Sequence, residues 1–313
     1  MRPITIDTDT GVDDALAIIL ALKSSELSVE AITTVAGNVE VEKCTRNCLL
    51  LLDILQPTQV PIVAQGAKKP LMKELVTAPE VHGEDGLGNV TSSYPPPRHR
   101  AVSENAVQVI LDIVRKHPHE LTIVALGPLT NLALAIEKDL KTMKKVREII
   151  AMGGAFRVPG NTGPVAEFNM YVDPDAAQRV FQAGLPLTLV PLDVTEQVVL
   201  HRSKVLRMET EDPIWLGTFI ARFTQTYMEY HKKTEGSSGA YLHDPLTVGI
   251  AIRANFVRRR DLHVEVKTEG KLTRGMSVAD LRPSGEKRPS NARVAYDVRS
   301  KEFLQFFESR VWH

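Results

Sequence analysis

The sequence predicts an α/β fold: a mostly parallel central sheet with helices on both faces, Rossmann-like, followed by a more helical C-terminal portion. Two observations carry this. Short β-rich runs alternate with stretches of helical apolar spacing through the first half of the chain, and several of those runs end in acidic, glycine or asparagine residues. A strand that rejoins its sheet through a crossover helix runs parallel to its predecessor, and the helices then cover the faces.

Taken in order, Pro3 to Ile6 is an apolar run ending in acidic residues, and Asp13 to Leu22 follows with helical spacing. Val29 to Val35 is β-branched and stops at Ala36-Gly37-Asn38, a loop signal. Glu40 to Leu55 reads as helix and Val60 to Ala64 as strand. Gly66 to Arg100 has no clear periodicity and carries HGEDGLGNV and YPPP. It reads as a long loop on one side of the sheet, the kind that serves as a lid or binding loop. Ala101 to Lys116 is a predicted helix, Leu121 to Ala125 a strand, and a helix starts near Leu129. Val146 to Met152 is a strand ending in Gly153-Gly154. Asp173 to Ala183 is helical, with Pro174 tolerable in its first turn, and Leu187 to Val190 is a strand. The C-terminal third holds helices at Pro213 to Lys232 and Pro245 to Arg253, strands at Leu262 to Thr268 and Arg293 to Val298, and a closing helix from Lys301. The basic runs Arg258-Arg259-Arg260 and Lys287-Arg288 read as solvated loops or helix ends. With no internal repeat or low-complexity linker, one domain over residues 1–313 is expected.

Composition narrows the class. Hydrophobic residues make up 43%, enough for a buried core, and 38 Lys plus Arg balance 38 Asp plus Glu. A net charge of zero offers no electrostatic reason to expect nucleic acid or an anionic membrane as partner. No apolar run approaches the roughly 18 residues of a membrane span, and the opening residues lack the apolar core of a signal peptide. Cys44 and Cys48, the only cysteines, lie one helical turn apart in an apolar stretch. They read as two reduced core thiols, in keeping with a cytoplasmic location.

The chemistry concentrates in IDTDTGVDD, where Asp7, Asp9, Asp13 and Asp14 fall within eight residues of one another. Asp7 and Asp9 share a side if the strand persists, and Asp13 and Asp14 begin the next helix, whose positive end favours ionised carboxylates. Part of this charge is ordinary helix-start chemistry. Four carboxylates converging on a strand end nevertheless repel one another, and a hard cation such as Mg²⁺ or Ca²⁺ relieves that repulsion. In such sheets ligands sit beyond the carboxyl ends of the strands, and Asp7, Asp9, Asn38, Leu126 and Gly153 all follow predicted strands. The Asp7-Thr8-Asp9 string also suits a haloacid-dehalogenase-type phosphatase with Asp7 as nucleophile, although that motif leaves the Asp13-Asp14 doublet unexplained.

The pattern Asp-x-Asp-x-x-x-Asp-Asp after a first strand resembles the signature of the inosine-uridine preferring nucleoside hydrolases. Further similarities follow in family order: TTVAGN ending at Asn38, VHGEDG around His82, ALGPLTN from Ala125, AMGGA from Ala151, VAEFNMYVDP from Val165 and LHDP from Leu242. The resemblance implies hydrolysis of the ribose–base bond of ribonucleosides by a Ca²⁺-activated water. In that reading Asp9, Asp14, Asp244 and the backbone carbonyl of Leu126 ligate the ion, where relatives often have another residue at the last position. Asp9 is the general base, and His243, beside Asp244, is the acid that protonates the leaving base. Asp13, Asn38, Asn161, Glu167 and Asn169 hold the ribose, although the last three also suit a polar loop capping the helix after Asp173.

His82 faces the base by resemblance, against the alternative of an exposed loop histidine. Tyr227, Tyr230 and His231 are candidates to reach the base from a helix that otherwise supplies core packing. Purine-specific members stack the base on tryptophans, whereas Trp215 and Trp312 lie outside the similar motifs. A pyrimidine-preferring or nonspecific enzyme is therefore expected, working as a homodimer or homotetramer. The rivals are the phosphatase and a non-catalytic nucleoside- or ribose-binding protein.

Overall fold

Strand β1 (Arg2–Thr8) occupies the middle of the sheet, and its sequence accounts for that position. Ile4 through Thr8 are buried on both faces, as a central parallel strand requires. The computed structural model describes residues 1–211, 216–282 and 288–312. After β1 come α1 (Val12–Leu22), β2 (Leu27–Thr34), α2 (Val41–Leu55) and β3 (Ile62–Gln65). A short α3 (Pro79–His82) interrupts the long loop, followed by α4 (Ala106–Lys116), β4 (Thr122–Ala125), α5 (Thr130–Met143) and β5 (Glu148–Met152). Next are α6 (Phe168–Val172), α7 (Pro174–Gln182), β6 (Leu187–Val190), α8 (Leu192–Thr195), β7 (Val199–His201) and α9 (Arg202–Glu211). The chain then forms α10 (Leu216–Glu235), β8 (Gly239–Tyr241), α11 (His243–Ile252), β9 (Val257–Leu262), β10 (Val264–Val266), β11 (Ser277–Ala279), β12 (Ala292–Val298) and α12 (Ser300–Val311).

Eight strands form the main sheet in the order β3-β2-β1-β4-β5-β6-β12-β9, all parallel except β9, which runs antiparallel to β12. The predicted α/β architecture is therefore the observed one. From β1 the chain winds outward through β2 and β3, then returns to β4 on the other side of β1 and winds away through β5 and β6. The crevice between the carboxyl ends of β1 and β4 is the switch point where such sheets bind ligands. Side chains alternate between two cores. Ile4, Ile6, Val124, Ile150 and Val190 pack with residues of α1, α2, α10, α11 and α12, while Ile123, Ala125, Ile149, Ala151 and Leu189 pack with α4, α5 and α7.

The differences from the sequence reading have local causes. The helix predicted from Ala101 starts at Ala106, because the Asn105 side chain accepts the Gln108 N–H (3.1 Å) and caps it there. Arg258-Arg259-Arg260, expected as a loop or helix end, form the edge strand β9. Arg259 pairs with Glu148 at 3.5 Å and Arg260 covers the Tyr296 ring, so the cations suit an edge that solvent reaches. The strand predicted over Leu262 to Thr268 is split at His263 between β9 and β10. The β7–β8 pair, α8 and α9 are too short or too polar for periodicity to reveal. The start of the helix predicted at Pro213, together with Trp215 and Lys287, lies outside the described residues. Among the described residues no helix is long and apolar enough to cross a membrane, and both cysteines are buried free thiols.

Helix α1 is buried along nearly its whole length between the sheet and α11, so its core residues have nowhere to relax. Ile18→Ala, at a fully buried position, should cost about 2–5 kcal/mol of unfolding free energy in a denaturant titration. A loss under about 1 kcal/mol would mean that α1 packs far more loosely than this.

Candidate active site

The site is assembled at the β1–β4 switch point, and two glycines set its geometry. A Cβ on Gly37 would fall 2.1 Å from Asp9 Oδ2, and one on Gly127 would fall 2.7 Å from Oδ1. Asp9 is thus clamped between two stretches of bare backbone, and its Oδ2 accepts the Asn38 N–H (2.8 Å). The next helix supplies Asp13 and Asp14 from its first turn. Asp14 accepts from Thr8 Oγ1 (2.5 Å), from the Gly11 N–H (2.9 Å) and from Asn38 Nδ2 (3.0 Å). The helix-start reading of Asp14 therefore holds, and the residue serves the cluster as well. Asp244 arrives on the first turn of α11, packed beside α1.

Carboxylate oxygens of Asp13, Asp14 and Asp244 lie within 4.8 Å of one another, all three residues buried. Asp9 stands outside that tightest group, so Asp13 is closer to the predicted ligands Asp14 and Asp244 than its expected role on the sugar implies. The Leu126 carbonyl lies at the same sheet end and accepts from Asn169 Nδ2 at 2.6 Å. Burial pushes the carboxyls of Asp9, Asp13 and Asp244 well above the ordinary range, and repulsion among the four raises them further. Asp14 is raised less, because Thr8 and Gly11 bond its charged form. Hard, crowded carboxyl oxygens in a cleft that no Lys or Arg lines among the described residues fit a divalent cation.

Asp9, Asp13, Asp244 and Leu126 line a cleft of ≈ 330 Å³, Asp14 is fully buried, and the remaining predicted site residues surround the cleft. Glu167 caps α6, accepting from the N–H groups of Asn169 (2.8 Å), Met170 (3.1 Å) and Gly154 (3.1 Å), while burial raises its pKa to about 6. Asn161 Oδ1 accepts from the Phe168 N–H (2.9 Å). The loop therefore caps α6 and not, as expected, the helix after Asp173, which Asp173 caps itself by accepting the Ala176 N–H (3.0 Å); Asn161, Glu167 and Asn169 face the cleft as well.

His82 is buried, which removes the reading as an exposed loop histidine. Its Nδ1 accepts the Val12 N–H (3.1 Å), leaving Nε2 to carry the proton of the neutral ring. His243 Nδ1 pairs with Thr195 Oγ1 at 2.7 Å. Burial lowers the pKa of each histidine to about 3. Between them rings form an arc: His82–Tyr227 at 5.5 Å, Tyr227–His231 at 4.5 Å, His231–Tyr241 at 4.9 Å and Tyr241–His243 at 5.4 Å, with Tyr230 against His231 at 5.3 Å.

One end of the cleft can therefore hold a cation and a polyhydroxylated group; the other presents aromatic faces and imidazole donors. Asp7 takes no part in the lining. It is fully buried behind Asp9, bonded to Thr33 Oγ1 (2.6 Å) and Asn131 Nδ2 (2.8 Å), and cannot attack a substrate. The phosphatase alternative required Asp7 as nucleophile, and its burial removes that residue from reach of a substrate. Sequence reasoning missed Thr195, Tyr241 and Glu235. The spacing of four between His231 and Glu235 was the one signal available for them.

A family model described as inosine-uridine preferring nucleoside hydrolase matches residues 4–305. The pyrimidine-specific ribonucleoside hydrolase RihA of Salmonella arizonae is 41% identical over 311 residues, covering 99% of this chain and 98% of that protein. Among solved structures, the purine-preferring ribonucleoside hydrolase from Gardnerella vaginalis superposes with a TM-score of 0.92 at 33% identity, over 99% of this chain and 98% of that one. A plant nucleoside hydrolase, PpNRh1, does so with a TM-score of 0.92 at 35% identity and the same coverage.

The buried carboxyls dictate how stability responds to pH. A carboxyl whose pKa is higher folded than unfolded holds its proton better in the folded state, so stability falls as pH climbs from about 4 through the folded value. For Asp7 that value is about 7 and for Glu167 about 6. Chelator-treated protein should accordingly melt at progressively lower temperature between about pH 6.5 and 8, above the range in which the buried neutral His82 and His243 contribute the opposite slope. A divalent cation at about 100 times its Kd should restore about 2.7 kcal/mol, with most effect at the upper end. A cation-free melting temperature that rises across this window would contradict the assignment.

Proposed function

Because the chain belongs to the inosine-uridine preferring nucleoside hydrolase family, which is metal-dependent and hydrolyses the N-glycosidic bond of ribonucleosides, we propose that this site does so with Asp9 as general base, His243 as the donor to the leaving base, and calcium as its ion. The observation that carries the reading is the convergence of Asp9, Asp13, Asp14 and Asp244, all buried, at a switch-point cleft that no Lys or Arg lines among the described residues. Asp9, Asp14, Asp244 and the Leu126 carbonyl would hold the ion. Calcium is favoured because it accepts six to eight oxygens in irregular arrangements. When bound, it supplies Lewis acidity, making water a better proton donor to a neighbouring base.

The protein's own groups do the rest. Asp9, pinned between Gly37 and Gly127, takes the proton of the attacking water. Asp13, Asn38, Asn161, Glu167 and Asn169 bond the ribose hydroxyls, each leaving an unmet polar group if a substrate lacks its partner. An oxocarbenium-like sugar develops positive charge as the bond breaks, and the surrounding carboxylates favour it electrostatically. His243, its Nδ1 occupied by Thr195, presents Nε2–H to the departing base as a neutral donor. His82, Tyr227, Tyr230 and His231 form the wall against which the base lies.

The pyrimidine-specific relatives support a pyrimidine preference. The family resemblance extends the proposal to a homodimer or homotetramer in the cytoplasm, a setting in which the buried Cys44 and Cys48 thiols stay reduced.

Ribose release from uridine, cytidine, inosine and adenosine, with and without chelator, tests the core of this reading. Release that a chelator abolishes and calcium restores is expected, fastest for the pyrimidines. Tight nucleoside binding without turnover would instead make this a binding protein. His243→Ala should slow uridine hydrolysis by about 100-fold or more, the range for removing a hydrogen-bond donor to developing negative charge, and slow a nitrophenyl riboside far less. Equal slowing of both would remove His243 from that role.

A further inference from the structure

The base end of the cleft carries a carboxylate that nothing in the hydrolytic chemistry requires. Tyr227, His231 and Glu235 succeed one another at intervals of four along α10, so they share one face of the helix, and all three line the cleft. Glu235 is the last residue of that helix, where the negative end of the dipole makes a carboxylate unfavourable. It is nonetheless paired with its neighbour one turn back. Its Oε1 lies 3.2 Å from Nδ1 of the buried His231, whose ring stands edge-on to that of Tyr241 at 4.9 Å. His231 keeps the Glu235 carboxyl below its ordinary range. The side chain is 37% exposed, so the braced carboxylate still faces the cleft. Glu80 lines the same end near Tyr230, and no Lys or Arg does so among the described residues.

From this arrangement, and resting on the ribonucleoside reading above, we propose that Glu235 is a specificity-determining residue that accepts a hydrogen bond from the exocyclic amine of the base, so that cytidine is preferred over uridine. The chemistry is one of matched and mismatched lone pairs. Cytosine presents an amino donor at the edge where uracil presents a carbonyl oxygen. A carboxylate is an acceptor only, so it bonds the first and repels the second. The contact matters because a carboxylate already paired with His231 loses little freedom on meeting the amine. A site built to bond a substrate N–H discriminates strongly against an analogue without it, since its own polar group is left unpaired.

The test compares kcat/KM for cytidine and uridine, in the calcium-loaded wild type and in Glu235→Gln, by ribose release. The wild type should favour cytidine by about tenfold or more, and Glu235→Gln should shrink that ratio about tenfold, mainly through cytidine, with an unchanged melting temperature. N4,N4-dimethylcytidine, which has no amine hydrogen, should be discriminated against by the wild type and not by Glu235→Gln. A ratio that stays within twofold in Glu235→Gln, or a wild type that prefers uridine, overturns the assignment. Failure of the wild type to release ribose from either nucleoside would instead defeat the hydrolase reading on which it rests.

Discussion

Everything at the working end of this protein depends on keeping four carboxylates, Asp9, Asp13, Asp14 and Asp244, buried within reach of one another. Left alone they would neutralise themselves by holding protons, which is the direction in which burial drives each of them. The fold opposes this with donors supplied by its own backbone and with two helix starts. Asp13 and Asp14 sit on the first turn of α1 and Asp244 on that of α11, so two helices point their positive ends at the cluster. Those contributions offset only part of the repulsion. A metal ion would meet the remainder, and the same cleft, which no Lys or Arg lines among the described residues, suits a reaction whose sugar becomes positively charged.

The sheet makes this arrangement possible. Asp9 follows β1, and Leu126 follows β4. The two strands are neighbours only because the chain winds outward on one side of β1 and then begins again on the other. The backbone joins the edges of the crevice, with the Leu126 N–H donating to the Asp7 carbonyl at 2.7 Å. Asp7 itself has turned inward to Thr33 and Asn131, tying β1, β2 and α5 together beneath the site. The residue that most resembled a nucleophile in the sequence is a structural strut, because its side chain points away from the cleft that Asp9 faces.

The parts of the molecule legible in the sequence were those governed by local rules. Alternating strand and helix patterns gave the sheet, since each central strand is buried on both faces and each crossover helix on one. The acid cluster was legible because Asp-x-Asp-x-x-x-Asp-Asp spans a single strand–turn–helix. What stayed hidden depends on distant partners. Arg258 to Arg260 look like a solvated cationic run until Glu148, Tyr296 and Asp297 are placed beside them. Asn161 and Glu167 could be read as loop caps or as sugar ligands, and the fold uses the caps to fix side chains that also face the cleft. His243 was identified beside Asp244, but nothing near it in sequence points to Thr195, which reaches it from α8, 48 residues away.

The two ends of the cleft obey different physics, and this bears on how specificity arises in such a site. At the acidic end the groups are buried carboxyls crowded against one another, so few alternatives preserve their geometry. At the other end the lining is an arc of rings with a few polar tips: neutral His82, neutral His243, and His231 braced against Glu235. Aromatic faces accept any flat base, so the rings contribute affinity without much selection. Selection has to come from the polar tips, where one donor or acceptor in the wrong place leaves a buried group unpaired. A scaffold of this kind can keep one hydrolytic centre while its base preference shifts through substitutions on α10 and the turn into β8, elements that meet the cleft yet carry none of the acidic cluster.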